Sequence, residues 1–172
     1  MLHRLAFLTL FAAMLAPSLA GCGFQPLYAD NHEGVSLDDR LGDIEVVQIA
    51  QPIGQEVYIA LMNELTPLGT PAAPLYQLKM TLREKKEGLG FEEDDNVTRF
   101  NYQLIGRFRL VDLTNNKTVF EGETLTVAPY NVVSNQYSTL TAQRDAQRRA
   151  ASELSRDVKL RLSLYFRQAA QD

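Results

Sequence analysis

Residues 99–111 read Arg-Phe-Asn-Tyr-Gln-Leu-Ile-Gly-Arg-Phe-Arg-Leu-Val, and their two-residue period decides the fold class. Phe100, Tyr102, Leu104, Phe108 and Leu110 share one face, with Gly106 among them. The other face carries Arg99, Asn101, Gln103, Arg107 and Arg109, relieved only by Ile105 and Val111. Successive side chains of a strand point to opposite sides, so this pattern predicts a long strand over 97–111 with one dry face and one wet face. Upstream, Tyr76, Leu78, Met80 and Leu82 alternate in the same way with Gln77, Lys79, Thr81 and Arg83. Between the two strands, Lys85-Lys86-Glu87 and Glu92-Glu93-Asp94-Asp95-Asn96 predict a charged loop.

Downstream, Thr114-Asn115-Asn116-Lys117 has the composition of a tight turn and leads into a third strand from Thr118 to about Ala128. Its phase is broken, because Val119 and Phe120 are adjacent while Leu125 and Val127 fall on the parity opposite to Phe120. A bulge near Glu121-Gly122-Glu123 would reconcile them. Asp43–Ile49 predicts a short β-branched strand, and Gln51-Pro52 introduces a helix over 53–65 that Pro67 and Gly69 end. From about Leu140 to Gln168, Ala146, Ala150, Ala151, Leu154, Val158, Leu162 and Tyr165 form a helical apolar stripe, with Ser138 or Thr139 as the expected cap. That helix spans ~44 Å and the Val97–Val111 strand ~50 Å, so the two can lie along each other. The expected fold is α+β in the order β-α-β-β-β-α, a four-stranded, mostly antiparallel sheet with two helices packed on one face.

The N-terminus carries a different message. His3 and Arg4 precede a nearly all-apolar run from Leu5 to Ala16, too short for a membrane span and laid out as a secretory signal. Leu19-Ala20-Gly21-Cys22 then resembles the bacterial lipobox, which implies cleavage after residue 21 and acylation of Cys22. Residues 22–42, with Pro26, Gly34 and a charged Asp38-Asp39-Arg40 cluster, read as an acylated tether before a body over 43–172. The signal holds Arg4 and no acid, so the mature chain is one charge more negative than the −4 of the whole sequence. A mildly acidic chain is a poor sequence-independent binder of nucleic acid, and none is expected as a partner. Cys22 is the single cysteine, which excludes an intramolecular disulfide and a thiolate zinc site.

The opening Cys22-Gly23-Phe24-Gln25-Pro26-Leu27-Tyr28, a mature length of about 150 residues and the β-α-β-β-β-α order together resemble the LptE lipopolysaccharide-assembly lipoproteins. The resemblance is motif-specific over residues 19–28 and architectural over the rest, and Ala29 stands where relatives often have glycine. It implies an outer-membrane lipoprotein, on the periplasmic side or within the lumen of its LptD β-barrel partner, that serves lipopolysaccharide insertion at the cell surface. It also implies N-acyl and S-diacylglycerol groups on Cys22 and no other cofactor. Gly23, rather than aspartate, follows the cysteine, so the inner-membrane retention signal known for lipoproteins is lacking. A periplasmic lipid carrier or a transporter-associated lipoprotein is the alternative, and it would need a deep apolar cavity.

The residues themselves add a charge segregation. If the apolar faces of the two long strands meet the helices, Lys79, Arg83, Arg99, Arg107 and Arg109 collect on the opposite face. Arginine's planar donor fork suits the phosphates of lipopolysaccharide. The competing reading is a solvated face whose cations pair with Glu121 and Glu123, with Glu123 opposite Arg109. The acidic run Glu92–Asp95 lacks calcium-loop spacing and reads as a solvated loop. His32 sits in the tether, and Ser134, Ser138 and Ser152 have no body histidine to activate them. Gly88-Leu89-Gly90 opens no strand-to-helix phosphate loop. No catalytic constellation is present; an envelope hydrolase would have to rest on paired carboxylates such as Glu92 and Asp95, and the chain is not expected to be an enzyme.

Overall fold

In a computed structural model, residues 37–91 and 97–170 are described. The elements are α1 (Leu37–Gly42), β1 (Ile44–Val46), α2 (Pro52–Leu65), β2 (Tyr76–Phe91), β3 (Val97–Asp112), β4 (Lys117–Asn131) and α3 (Gln136–Ala169). β3 pairs antiparallel with β2 on one side and β4 on the other, while β1 pairs parallel with the start of β2, in spatial order β1-β2-β3-β4. The alternation in β3 does what its sequence requires: Tyr102, Leu104, Phe108 and Leu110 are buried, while Arg99, Arg107 and Arg109 are exposed. The expected α+β architecture is present, with α2 and α3 on one face of the sheet and a short helix added in front.

α3 packs along β4 and β3. Its buried stripe runs Ala146, Ala150, Ala151, Leu154, Val158, Leu162 and Phe166. The small residues let the helix approach closely, and the strands answer with small residues of their own. Gly106 faces Leu154, where an added Cβ would come within 3.0 Å of a leucine methyl. Thr126 is buried and its hydroxyl donates to the Ala150 carbonyl at 3.2 Å, satisfying a polar group in the core. The far end of the helix is aromatic: Tyr165 stacks on Phe120 at 5.0 Å, and Phe166 meets Tyr76 edge-on at 5.2 Å. Tyr102, fully buried on β3, donates its hydroxyl to Glu84 on β2 at 2.7 Å, and Gln147 on α3 reaches the same carboxylate at 3.3 Å. Burial, reinforced by the carboxylate, pushes that phenol well above its ordinary pKa.

Several boundaries differ from the expectation, each for a local reason. β2 does not end at Arg83 but continues through Lys85-Lys86-Glu87 to Phe91. Cross-strand pairing such as Lys85 with Gln103 and Glu87 with Asn101 carries it. Its charges mark an edge, because β1 covers only Tyr76–Leu78. The bulge lies at Val119, where the register shifts opposite Leu110 and Val111, and not at Glu121–Glu123. From Phe120 to Tyr130 the parity of β4 is unbroken, so Leu125 and Val127 simply face outward, 57% and 49% exposed. α3 begins one turn earlier than expected. Its cap is Asn135, whose side-chain oxygen accepts from the backbone N–H of Tyr137 and Ser138, in place of Ser138 or Thr139. β1 is three residues of the seven expected, because the chain turns toward α2 soon after Val47 bonds the Leu78 carbonyl.

The end of the segment read as a tether is folded. α1 places Leu41, 1% exposed, in the core beside Ile44 and the helices. Leu41→Ala is therefore expected to cost about 2–4 kcal/mol, as for other fully buried leucines, read as a lower midpoint in urea unfolding at unchanged slope. A second expectation concerns Asp157 on α3. Partial burial pushes its carboxyl up, but the Thr124 hydroxyl and Arg161 outweigh this and hold it below the usual carboxylate range. A depressed folded pKa contributes stability above the unfolded value that is lost as pH falls through the folded one. Unfolding titrations of Asp157→Asn should lack that acid-dependent component and otherwise resemble the parent at low pH.

Candidate functional site: the open face of the sheet

The face turned away from the helices is built by the odd-numbered residues of three strands. At one end, two cross-strand rows organise its charge. Lys79, Arg109 and Glu121 form the first row, and Thr81, Arg107 and Glu123 the second. Arg107 and Glu123 make an ion pair through the guanidinium Nε, and this contact pushes the Arg107 pKa up. Both side chains are more than half exposed, so the pair contributes little to stability. Lys79 sits directly opposite Arg109, a like-charge arrangement that costs energy until an anion or a neighbouring acid offsets it. These residues border a shallow depression of about 560 Å³ between Lys79, Arg107, Arg109, Glu121 and Glu123.

The five cations singled out from the sequence all lie on this face, but they do not form one cluster. Lys79, Arg107 and Arg109 converge. Arg83 stands opposite Ile105, one step beyond, and Arg99 stands opposite Leu89 at the far end of the hairpin. Eight residues separate Arg99 from Arg107, roughly 26 Å along a strand. The expected partner of Glu123 is also corrected: it faces Arg107, and Glu121 faces Arg109. The turn explains the shift. Asp112 pairs with Lys117 and accepts bonds from the Thr114 N–H at 2.8 Å and the Asn115 amide at 2.9 Å. Counting from that pair and adding the one-residue bulge at Val119 gives the observed register.

Beyond the charged rows, the open face becomes apolar and amide-lined, with Ile105, Leu125 and Val127 beside Gln103 and Asn101. The opposite parity of Leu125 and Val127 to Phe120 was the signal of this division, but with a bulge placed at Glu121–Glu123 both read as core residues. Cys22, His32 and the acidic run Glu92–Asp95 lie outside the described residues. Among the described residues no group of His, Asp and Glu is placed to hold a metal ion, and no helix is long and apolar enough to cross a membrane.

The comparisons agree with this architecture. The chain is 25% identical over 162 residues to an uncharacterized protein, RP188, of Rickettsia prowazekii, covering 91% of this chain and 96% of that one. Its fold matches a crystal structure of a protein designated a lipoprotein from Caulobacter crescentus, with TM-score 0.67, 25% identity, and coverage of 79% of this chain and 97% of that one. Rare lipoprotein B of Shewanella oneidensis shares the fold at TM-score 0.55 with 9% identity, over 75% of this chain and 98% of that one. The family model for LptE, lipopolysaccharide-assembly, matches residues 41–162, starting at the buried Leu41 of α1 and ending at the buried Leu162 of α3. The chain therefore belongs to the LptE lipopolysaccharide-assembly family, a family of lipoproteins that are not enzymes.

Proposed function

We propose that this chain is an outer-membrane lipoprotein, acylated at Cys22, that partners an LptD-like β-barrel and contacts lipopolysaccharide phosphates through Lys79, Arg107 and Arg109. The observation that supports the last point most directly is the convergence of three cations across two adjacent rows of an exposed face. Phosphate oxygens accept paired bonds from arginine, and an anion here would offset the repulsion between Lys79 and Arg109. Glu121 and Glu123 compete for the same cations, so binding is tuned rather than maximal. Arg83 extends the basic strip, and Arg99 is too distant to share one phosphate group with the others. The space between sheet and helices is filled by Leu104, Phe108, Leu154 and Val158, which supports an assembly subunit over a carrier that engulfs acyl chains.

Anchoring is tested at the N-terminus. The mature protein from membranes should begin at Cys22 with N-acyl and S-diacylglycerol groups by mass spectrometry, and Cys22→Ala should leave an uncleaved precursor or a soluble form. More than one chain is needed for stable attachment, since a single acyl chain binds only marginally. Affinity purification of the lipidated protein should co-isolate a large β-barrel. A bare Cys22, or the absence of a barrel, would count against this reading.

Lipopolysaccharide contact is tested by charge. Arg107→Gln with Arg109→Gln should weaken binding by about tenfold, and rising salt should weaken the parent as well. Glu121→Gln with Glu123→Gln should strengthen binding, which a merely solvated surface would not do. The control pair is Arg144→Gln with Arg148→Gln on α3. Arg149 is unsuitable as a control because it bonds the Pro129 carbonyl. Equal losses from the sheet pair and the helix pair would reduce the basic face to an ordinary surface.

A further inference from the structure

The two edges of the sheet are protected unequally. β2 is covered by β1 over Tyr76–Leu78 and beyond that carries the charged run Arg83–Glu87, a composition that discourages pairing with another chain. β4 is blunted only at its ends. At one end the bulge at Val119 breaks the ladder. At the other, Pro129 has no N–H to offer and its carbonyl is already taken by Arg149 at 2.8 Å. Between them, Glu121–Val127 is a regular strand.

The Arg149 bond also fixes which groups are open. In an antiparallel ladder a residue turns its N–H and its C=O to the same side. The Pro129 carbonyl points away from β3, so Glu121, Glu123, Leu125 and Val127, of the same parity in an unbroken ladder, turn both groups outward. Among the described residues these groups have no backbone partner. They do not face open solvent on both sides. α3 overhangs them, leaving a groove of about 450 Å³ lined by Thr124, Leu125, Thr126, Asp157, Leu160 and Arg161. Leu160 and, one turn on, Leu164 are 43% and 44% exposed, apolar surface on a helix that elsewhere seats its apolar residues on strands.

Charge indicates what would lie there. Glu123, Glu153 and Asp157 line the groove against Arg156 and Arg161, and Glu121 stands two residues further along the same strand. Asp157 holds Arg161, Arg107 holds Glu123, and Arg156 leans toward Glu64 at 3.9 Å, while Glu121 and Glu153 make no ion pair among the described residues. The edge is net acidic. A second copy of this chain fits poorly. Antiparallel pairing about Thr124 would set Glu123 against Leu125 and Glu121 against Val127, so the second copy would bring no cation to either acid.

We infer that the β4 edge from Glu121 to Val127 accepts an extended segment of a partner polypeptide as a fifth strand, with basic side chains beside Glu121 and Glu153 and an apolar side chain beneath Leu160. Main-chain bonds supply affinity in such strand addition, and the alternate side chains supply selectivity. The edge borders the open face at Glu121 and Glu123, but the inference does not rest on phosphate binding there.

The test uses a dye-labelled heptapeptide of alternating valine and lysine, titrated by fluorescence anisotropy against the full chain in detergent. Two versions carry N-methyl groups on alternate amides, one set for each edge of the peptide. One methylation pattern should lose at least tenfold in affinity and the other should stay within about threefold. Replacing lysine by glutamate should also weaken binding at least tenfold. Leu125→Pro removes only an outward N–H, as Pro129 already does, and should abolish binding with the fold intact by circular dichroism. If that variant fails to fold, the two methylated peptides still decide. Equal binding of both methylated peptides, or no measurable binding of the parent peptide, would overturn the inference. Self-association of the chain that Leu125→Pro abolishes would overturn it in favour of a second copy.

Discussion

The close seat of α3 on β3 and β4 is the constraint from which the rest of the structure follows. A helix with alanines at 146, 150 and 151 can lie near a sheet only where the strands carry small or polar-satisfied residues beneath it. Gly106 under Leu154 and Thr126 under Ala150 meet that requirement. Gly122 does so beside Phe108, whose ring leaves no room for an added Cβ, which would come within 2.8 Å. Because the apolar side chains of β4 are not needed beneath the helix, Leu125 and Val127 are free to face outward. The same packing decides the charge of the open face, since fixing the inner parity of β3 and β4 fixes which arginines and glutamates share the outer one.

How far this could be read from the sequence varied with how local the cause was. β3 was legible because its alternation is complete and it is paired on both sides. The stripe of α3 was legible for the same reason, although Phe166, which closes the core against Tyr76, stands one residue beyond the Tyr165 that the spacing favours. β4 misled, because between Phe120 and Tyr130 its inward face is Gly122, Thr124, Thr126 and Ala128, residues that carry little hydrophobic signal, while its outward face holds leucine and valine. Lys85-Lys86-Glu87 misled in the opposite sense: its charge reads as a loop but serves an uncovered edge strand. The α1 helix was hidden by the charged residues around Leu41, since one buried leucine has no periodicity to show.

The candidate site followed the same division. That Lys79, Arg107 and Arg109 share a face was already visible in the alternation. Their ranking against Arg83 and Arg99 needed the hairpin register, which depends on the Asp112 turn and on a single extra residue at Val119. A shift of one bulge moves every acid on β4 by one place along β3 and would flip its side chains to the other face. Charge composition alone is therefore blind to whether an arginine is paired or available.

The uneven cover of the sheet has a consequence for how the molecule opens. β2, β3, β4 and α3 are contiguous in the chain and pair with their sequence neighbours, whereas β1 reaches β2 only by a parallel crossover through α2. Contacts between near neighbours form at lower entropic cost, so the meander and its long helix should form first, with α1, β1 and α2 docking onto one end of it. The opposite end, where β2 runs past its cover toward Phe91, is held by backbone pairing, the stack of Phe100 on Tyr130 and polar contacts such as Gln103 with Glu87. Local opening should start there, at low free energy, and spread toward Phe108 only with global unfolding. The two ends of the sheet should therefore differ in how readily they open, set by where a three-residue strand stops.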